Sequence, residues 1–274
     1  MITRRDFLKV TGVAAAAAAL TACGGSSSTA SSAASGAASS EAASAAATEL
    51  TTVEAGKLTM ATNAAFPPYE MTTDAGEFEG IDIDTAKAIA EKLGLELQID
   101  DMDFDAALLS VQQGKADIVM AGVTVTDERK AVMDFSDSYA TGIQSIIVPE
   151  GSDITSPDDL AGKKIGTQRG TTGYIYCSDD FGDDAVVAYD DGLTAVQALN
   201  NGQVDAVVID NAPAKEFVAA NPGLVILDTS YAEEDYAIGL AKGSALEDAV
   251  NAALEELKAD GTLQSIVDKY ITAE

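Results

Sequence analysis

From about residue 55 onward, the chain is predicted to fold as an α/β protein built from two similar halves. Short runs of branched apolar residues alternate with segments whose apolar residues recur at helical spacing, a pattern typical of parallel sheets covered by helices. The alternation begins at Leu58 and starts afresh at Lys163. Two further β-type runs, 142–148 and 236–240, complete it.

The first half is predicted to contain three strands and two helices. Residues 65–69, which include two prolines, are expected to form a turn. A helix follows near Ile83 and ends at Gly94, because glycine readily adopts the left-handed conformation that closes a helix. Asp105 is expected to cap a shorter helix, 106–113. The predicted strands are 58–62, 95–99 and 118–121.

The second half repeats this order and is followed by two helices. A short capped helix is expected at 156–160, and a polar turn at 168–173 leads into another helix. The remaining strands are predicted at 164–167, 185–189, 204–209 and 225–227, and the remaining helices at 193–201, 212–220, 245–259 and 263–270. Parallel sheets bind ligands at the carboxyl ends of their strands, so the loops at those ends are the first place to look for a site.

The first 22 residues have the features of an export signal. The paired bases Arg4 and Arg5 resemble a twin-arginine signal, although general secretory signals can also carry such a pair. The apolar run 10–22 is too short to span a membrane. It ends as Leu-Thr-Ala before Cys23, which resembles a bacterial lipobox, so Cys23 is predicted to be lipidated. Residues 24–48 are almost only Ser, Ala, Gly and Thr, as in a flexible tether.

Composition excludes several function classes. The formal net charge is −29, with 45 acidic against 16 basic residues, which argues against binding nucleic acid or anionic lipid headgroups. The chain has no histidine, so histidine-based catalysis and His-ligated metals are excluded. Past the predicted signal and Cys23, the only cysteine is Cys177. It has no partner for a disulfide or a zinc site and is expected to be a packing residue.

The stretch 117–136 is the strongest candidate for a binding element. A short apolar strand ends at Gly122, and the hydroxyl of Thr124 follows. Thr126 is expected to cap a new helix that carries Arg129 in its first turn. Backbone N–H groups, a hydroxyl and a guanidinium that converge in this way can hold a carboxylate.

A plainer interpretation of Arg129 remains open at this point. Arginines on acidic surfaces commonly form ion pairs of little energetic consequence, and Asp127, Glu128 and Asp134 are all close in sequence. A lone arginine therefore does not establish a site, and the rest of the chain has to decide.

Several motifs in order resemble one protein family. The motifs are ATNAAFPPYE (61–70), GIDIDTAKAIAEKLG (80–94), the run from Asp103 to Tyr139, GKKIGTQRGTTG (162–173) and QVDAVVIDNAPA (203–214). Together they resemble the family 3 extracellular solute-binding proteins, the amino-acid-binding components of ABC importers. No single motif is decisive, but five in this order and spacing are specific, and the resemblance covers about 220 residues.

This resemblance implies the type II periplasmic-binding-protein fold, in which two parallel-sheet lobes joined by two hinge strands close on a ligand. Residues 1–22 would then be a lipoprotein signal peptide and 23–54 the lipidated cysteine with its tether. Lobe 1 would comprise 55–142 together with 238–274, and lobe 2 would comprise 143–237.

The resemblance also assigns one end of a ligand. Arg129 matches the family arginine that binds the α-carboxylate, and Gly122 and Thr124 match its helpers from lobe 1. Thr171 and Thr172 match the lobe 2 loop whose amides and hydroxyls meet the same carboxylate. These five residues are predicted to form the anion end of the site.

The other end of the ligand is assigned in the same way. Asp210 is similar to the family aspartate that pairs with the α-ammonium, and Phe66 and Phe104 match two aromatics that enclose the ligand side chain. Asn63, Gln168 and Ile209 occupy positions that select the side chain, where other members carry an acid, a lysine or a histidine respectively. Because all three are neutral here, the resemblance does not identify the amino acid.

The implied function is capture of a polar L-amino acid for an ABC permease by a membrane-anchored monomer without cofactor or metal. No basic residue is expected at the selecting positions, so the ligand should be cationic or neutral rather than glutamate or aspartate. Glu70 and Asp103 would make the local field negative, whereas Arg169 would favour an acid if it turned inward.

Two alternatives remain: a fold-related enzyme, such as a dehydratase-like protein, and a ligand-sensing domain. An enzyme needs an acid or base aimed at a substrate bond. Glu70 is the only nearby acid without an assigned role and is expected to be a plain loop residue.

Overall fold

The computed structural model describes residues 50–271 of the chain. The predicted signal peptide, Cys23 and nearly all of the tether therefore lie outside the described residues. Within the described part, two mixed sheets and one small sheet alternate with eight α-helices. The helices are α1 Ile81–Leu93, α2 Phe104–Gln112, α3 Asp127–Lys130, α4 Thr172–Phe181, α5 Gly192–Asn200, α6 Asn211–Ala220, α7 Glu247–Ala259 and α8 Thr262–Tyr270.

The first sheet contains the strands of the first half and one strand from near the end of the chain. Its spatial order is β5-β1-β6-β14-β7, where β14 is the strand Gly239–Ala241 from near the end of the chain. Strand β1 is parallel to both β5 and β6, and β14 is antiparallel to its neighbours. The strands of the first half are β1 Lys57–Thr62, β2 Ala65–Phe66, β3 Glu70–Thr72, β4 Phe78–Glu79, β5 Glu96–Asp101, β6 Ile118–Val119 and β7 Met133–Phe135.

The second sheet has the order β10-β9-β11-β8-β12, and β13 also pairs with β8. β9 is parallel to β10 and β11, whereas β8 runs antiparallel to β11, β12 and β13. The remaining strands are β8 Ala140–Pro149, β9 Ile165–Gln168, β10 Val186–Tyr189, β11 Ala206–Asp210, β12 Leu224–Ile226, β13 Ala232–Tyr236 and β14 Gly239–Ala241.

The chain passes between the two sheets at two adjacent points. It leaves the first sheet after β7 and enters β8, and it returns from β13 to β14. Tyr236, the last residue of β13, pairs with Ala140, the first residue of β8. The expected arrangement of two sheets joined by two crossing strands is therefore present, while the lobe boundaries chosen above stay a prediction.

The C-terminal helices pack against the first half. Lys92 at the end of α1 bonds Glu256 and Asp260 at 3.1 and 3.2 Å, and Lys269 of α8 bonds Asp84 of α1 at 2.7 Å. Exposed pairs of this kind stabilise little, and the apolar faces of the same helices enter the main core. The last two helices thus return to the first half, as the resemblance implied.

The turn predicted at 65–69 is present at residues 67–69, and it connects the short strands β2 and β3 of a small antiparallel sheet that was not predicted. Three other local expectations were wrong. Helix α2 begins at Phe104 with Asp103 at the cap position, so Asp105 lies inside the first turn. The run 236–240 is not one strand: it is split between the end of β13 and the start of β14, in different sheets. Both sheets were expected to be parallel, but each also contains antiparallel strands. Hydrophobic periodicity alone does not distinguish antiparallel strands from parallel ones.

Candidate ligand-binding site

Strand ends from both sheets surround one small cavity. It is lined by Asn63, Phe66, Glu70, Phe104, Ala121, Gly122, Thr124, Arg129, Gln168, Thr171, Thr172 and Asp210. All ten residues predicted to bind ligand therefore lie around the same space, although their binding role stays a prediction. The volume open to the centre of a water-sized sphere is about 10 Å³, which is roughly what one water needs. The two halves are thus closed, and their own side chains fill most of the cleft.

Arg129 lies within this cavity as a buried residue with 8% exposure. The hydroxyl of Thr126 caps α3 by accepting a hydrogen bond from the Arg129 N–H at 3.1 Å, as predicted. Nη1 donates to the Thr124 carbonyl at 2.7 Å, and Nη2 donates to the Gly170 carbonyl at 3.1 Å. The guanidinium lies 5.4 Å from the centre of the Phe104 ring. These contacts fix the plane of the guanidinium with one bond from each half.

The charge of Arg129 has no acidic partner in the ion pairs found among residues 50–271. Asp134, a candidate partner in the plainer interpretation, instead pairs with Lys242. Burial lowers the pKa of Arg129, while the negative charge of Glu234 acts in the opposite direction. The surface-arginine interpretation is therefore wrong. A guanidinium has five N–H donors, so carbonyl contacts at two nitrogens leave capacity for a carboxylate.

Asp210 is the buried acid on the other side of the cavity. It ends β11 and stands at the cap position of α6, but its side chain makes no cap bond. Oδ2 accepts from Nε2 of Gln144 at 2.8 Å, and Oδ1 accepts a short hydrogen bond from the hydroxyl of Tyr236. Burial, and then the charge of Glu234, raise the pKa of Asp210 to about 7. A nearby cation would stabilise the ionised form of this acid.

The hydroxyls of the three threonines form hydrogen bonds within the protein, and their predicted role in ligand binding stays a prediction. The Thr171 hydroxyl caps α4: it accepts from the N–H of Tyr174 at 3.3 Å and donates to the Gln168 carbonyl at 2.8 Å. The hydroxyls of Thr124 and Thr172 lie 3.1 and 3.0 Å from Oε2 of Glu234. All three hydroxyls are therefore already engaged inside the protein. The backbone N–H groups that begin α4 are left as the donors of this loop.

A pair of amides bridges the two halves over the cavity. Nε2 of Gln168 donates to Oδ1 of Asn63 at 2.8 Å, and Nδ2 of Asn63 donates to the Met102 carbonyl at 2.9 Å. Phe66 lies on the same side, with its ring centre 6.0 Å from that of Tyr69. The residues expected to select a ligand side chain are thus in mutual contact, and a side chain entering between them must separate Gln168 from Asn63.

Glu70 was expected to be a plain loop residue, and this was wrong. It belongs to β3, is fully buried and lines the cavity, and within the described part of the chain neither carboxyl oxygen has a hydrogen bond. Burial and the charge of Asp82 raise the pKa of Glu70 well above its ordinary value. Asp82 accepts from the Gly122 N–H at 2.9 Å, and burial raises the pKa of Asp82 to about 6. The two acids lie under the Gly122 turn.

Three further residues were missed: Gln144, Glu234 and Tyr236. Each is a polar residue on the buried face of a strand, where the alternation of inward and outward positions is the only signal. In β13 the alternation buries Glu234 and Tyr236 and exposes Glu233 and Asp235. Nε2 of Gln144 lies within 3.0 Å of both Asp210 and Glu234, so it joins the two acids.

Two charged residues that were expected to influence the site lie outside it. Arg169 faces outward, where Nη2 lies 3.4 Å from Asp190 and its side chain is half exposed. Asp103 is exposed at the cap of α2. The expected contribution of Asp103 to the local field was therefore wrong, and Glu234 and ionised Asp210 provide the negative charge near Arg129 instead.

Neither a metal site nor a membrane span occurs in the described part of the chain. Residues 50–271 contain no group of three or more acidic or cysteine side chains arranged to hold a metal ion. None of their helices is long and apolar enough to cross a membrane. Cys177 is buried and forms no disulfide, as expected for a packing residue.

A comparison with known protein families shows which family the chain belongs to. Residues 58–273 match the bacterial extracellular solute-binding proteins of family 3. The chain belongs to this family. The match spans nearly all of the described fold, so the two closing halves are the type II binding-protein fold that the sequence motifs implied.

Relatives of this family 3 protein are named for the amino acids they bind. The chain is 34% identical to a probable histidine-binding protein of Neisseria gonorrhoeae, covering 78% of this chain and 83% of the relative. It is 33% identical to the L-cystine-binding protein TcyJ of Escherichia coli, covering 81% and 85%. A solved structure of an ancestral arginine-binding protein bound to glutamine has 43% identity and a TM-score of 0.76, covering 80% of this chain and 99% of that one.

The leader of this family 3 protein also has a match. Residues 1–21 match the signal sequence of the twin-arginine translocation pathway. Together with the extracellular family, this places the protein outside the cytoplasm. Of the two export routes left open by the sequence, the match supports the twin-arginine route.

Proposed function

We propose that this protein captures a polar L-amino acid, cationic or neutral, between its two halves and delivers it to an ABC permease. The observation that carries the proposal is the pair Arg129 and Asp210. Arg129 in α3 and Asp210 at the end of β11 are both buried, lie in different halves and line one cavity, and neither belongs to an ion pair among residues 50–271. A buried charge without a partner is costly. The α-carboxylate and α-ammonium of an amino acid would supply both partners at once.

Closure follows from the same geometry. Arg129 and Asp210 belong to different halves, so a zwitterion bound to both stabilises the closed form by its greater affinity for that form. The bonds from Arg129 to Gly170 and from Gln168 to Asn63 already join the halves. A ligand would replace the contact between Gln168 and Asn63 and keep the halves together. The boundaries 55–142 with 238–274 and 143–237 are proposed as the two moving bodies.

An enzyme or a sensor is less well supported. Glu70 is the candidate acid for catalysis, but it is fully buried, and the titratable group that affects its pKa most is another acid, Asp82. The relatives reported above are binding proteins. Incubation with amino acids followed by mass spectrometry distinguishes the classes: a binder returns its ligand unchanged, and a new product would support an enzyme.

Calorimetry with the mature domain tests the proposed function directly. Arginine, lysine, glutamine and glutamate are titrated separately, and at least one of the first three is expected to bind. Binding of none of the four would refute the proposal. The ligands named for the histidine-binding relative and the glutamine-bound ancestral protein favour a cationic or amide side chain, and so does the negative charge of Glu234 and ionised Asp210.

Affinity is expected to fall as the pH is lowered through 7. The carboxyl of Asp210 has a pKa of about 7 without ligand, whereas binding an ammonium requires its ionised form. Below pH 7 each bound ligand must first displace a proton, so affinity decreases by up to about tenfold per pH unit, or about 30-fold from pH 8 to 5.5. Calorimetry across this range measures the slope, and Asp210→Asn should remove it. An equal slope in that variant would contradict the assignment.

Cys23 is proposed as a lipid anchor that holds the protein monomer at the outer face of the membrane. The support is its place after Leu-Thr-Ala and before the Ser/Ala-rich tether. One acyl chain alone binds membranes weakly, so stable anchoring is expected to need more than one chain. Cys23→Ala should release the protein into the soluble fraction of producing cells. Unchanged retention in washed membranes, with Ser32→Ala as the control, would contradict this proposal.

A further inference from the structure

Glu234 is a buried acid at the centre of the site, with 7% exposure and no place among the residues that line the cavity. Its Oε2 accepts three hydrogen bonds: from Oγ1 of Thr124 at 3.1 Å, from Oγ1 of Thr172 at 3.0 Å and from Nε2 of Gln144 at 3.0 Å. Its other oxygen, Oε1, has no hydrogen bond to the described residues. The bonds from the two threonines and Gln144 therefore all reach the same oxygen, and the Tyr176 hydroxyl is a further hydrogen-bond partner of Glu234.

The hydroxyls of Thr124 and Thr172 have one hydrogen each, and this limits the hydrogen bonds that they can offer to a ligand. Each hydroxyl has one hydrogen to donate and lone pairs to accept with. The two hydroxyls lie 3.5 Å apart, but a carboxylate is a stronger acceptor than a hydroxyl, so both hydrogens point to Glu234. Thr124 and Thr172 also line the cavity. They therefore present lone pairs to it.

We propose that Glu234 is a positioning residue that makes the hydroxyls of Thr124 and Thr172 acceptors for a ligand ammonium and unfit to bind a ligand carboxylate. This deepens the proposed function and rests on it. The carboxylate is then bound by Arg129 and the first N–H groups of α4. The ammonium is bound by Asp210 and the two hydroxyl oxygens. Glu234 thus sets the direction in which an amino acid binds.

Gln144 makes this arrangement rigid. Its amide nitrogen donates to Asp210 at 2.8 Å and to Glu234 at 3.0 Å, and a third, longer contact reaches Oγ1 of Thr172 at 3.4 Å. Thr124 belongs to the first half and Thr172 to the second, so Glu234 also connects the halves through their hydroxyls. The acceptor geometry is consequently complete only when the two halves are closed.

The test compares each amino acid with its des-amino analogue, in which hydrogen replaces the α-ammonium. L-arginine and L-glutamine and their two analogues are titrated by calorimetry at pH 8, where Asp210 is mostly ionised. Glu234→Leu frees both hydroxyl hydrogens to turn toward the cavity. The affinity ratio of amino acid to analogue is expected to fall by roughly tenfold. A purely structural role would weaken both ligands equally and leave the ratio unchanged, which would overturn the proposal.

Two further variants separate the acceptor oxygen from the charge. Glu234→Gln keeps an oxygen that can accept hydrogen bonds from the two hydroxyls. Its affinity ratio of amino acid to des-amino analogue should therefore stay within about threefold of the wild-type ratio. A fall in this ratio as large as that of Glu234→Leu would overturn the proposal. Glu233→Leu changes the exposed neighbour on the same strand and should leave both affinities unchanged. An equal fall in the ratio there would also count against Glu234.

Thr172→Val covers the case in which Glu234→Leu does not fold. It removes one acceptor of the ammonium, so the ratio should fall several-fold. If the Thr172 hydroxyl instead donated to the carboxylate, both ligands would lose affinity equally and the proposal would be wrong. Failure of the wild type to bind either amino acid would refute the proposed function itself, before any variant is compared.

Discussion

Arg129→Ala is expected to weaken amino-acid binding by at least about 30-fold. The guanidinium is buried and held by two carbonyls, and it has no acidic partner in the ion pairs of the described chain. Removing one member of a buried charge pair typically costs roughly 2–5 kcal/mol of binding free energy. The ligand carboxylate would remain desolvated with only the N–H groups of α4. Calorimetry at pH 8 with the tightest-binding amino acid measures the loss.

Two variants sharpen this result. Arg129→Lys keeps the charge but cannot form two parallel bonds to a carboxylate, so it should bind more weakly than wild type and more tightly than Arg129→Ala. Arg169→Ala removes the exposed neighbour of the Gly170 loop and should leave affinity unchanged. Normal binding by Arg129→Ala would remove Arg129 from the site.

The ligand-free protein should not be destabilised by Arg129→Met. Replacing a buried charge that lacks a partner with an apolar side chain of similar length is often neutral or stabilising. A thermal unfolding midpoint at or above that of wild type, together with lost binding, would show that Arg129 is retained for the ligand and not for the fold. A large decrease in the midpoint would show that its bonds to Thr124 and Gly170 are structural.

Strand ends made the main site residues predictable from sequence. Asp210 ends an apolar strand, Gly122 lies three residues after the end of β6, and Thr172 opens a helix after another strand. Parallel strands bring such ends to one edge of a sheet, so motifs distant in sequence converge. The order of the motifs also predicted that the two halves meet at one site. Local sequence patterns alone do not indicate this.

Residues on the buried faces of the crossing strands were not predictable in the same way. Gln144 and Glu234 lie within strands, where a single polar side chain has no local signature beyond its inward position. Their partners come from the opposite half or from residues 66 and 110 positions away in sequence. Glu70 was missed because β3, with three residues, is too short to show a period. Only the three-dimensional arrangement shows that these polar groups meet.

Glutamine should bind at least about 100-fold more tightly than glutamate. The two ligands have nearly the same shape, so the comparison isolates one negative charge. A second buried carboxylate without a cation costs several kcal/mol. Arg129 is committed to the first carboxylate, Arg169 faces outward, and Glu70 lies in the cavity wall. The amides of Asn63 and Gln168 can instead pair with the amide of glutamine.

Gln168→Lys tests the physical reason for this selectivity. Gln168 is buried and contacts Asn63 across the cleft, so a lysine there would place an ammonium beside the ligand side chain. The preference for glutamine should then narrow by at least about tenfold, since the added cation offsets part of the desolvation cost. Arg169→Ala is the control, with an unchanged preference because its side chain points to Asp190. Should wild type bind glutamate more tightly than glutamine, and Arg169→Ala abolish that binding, then Arg169 turns inward and the ligand is acidic.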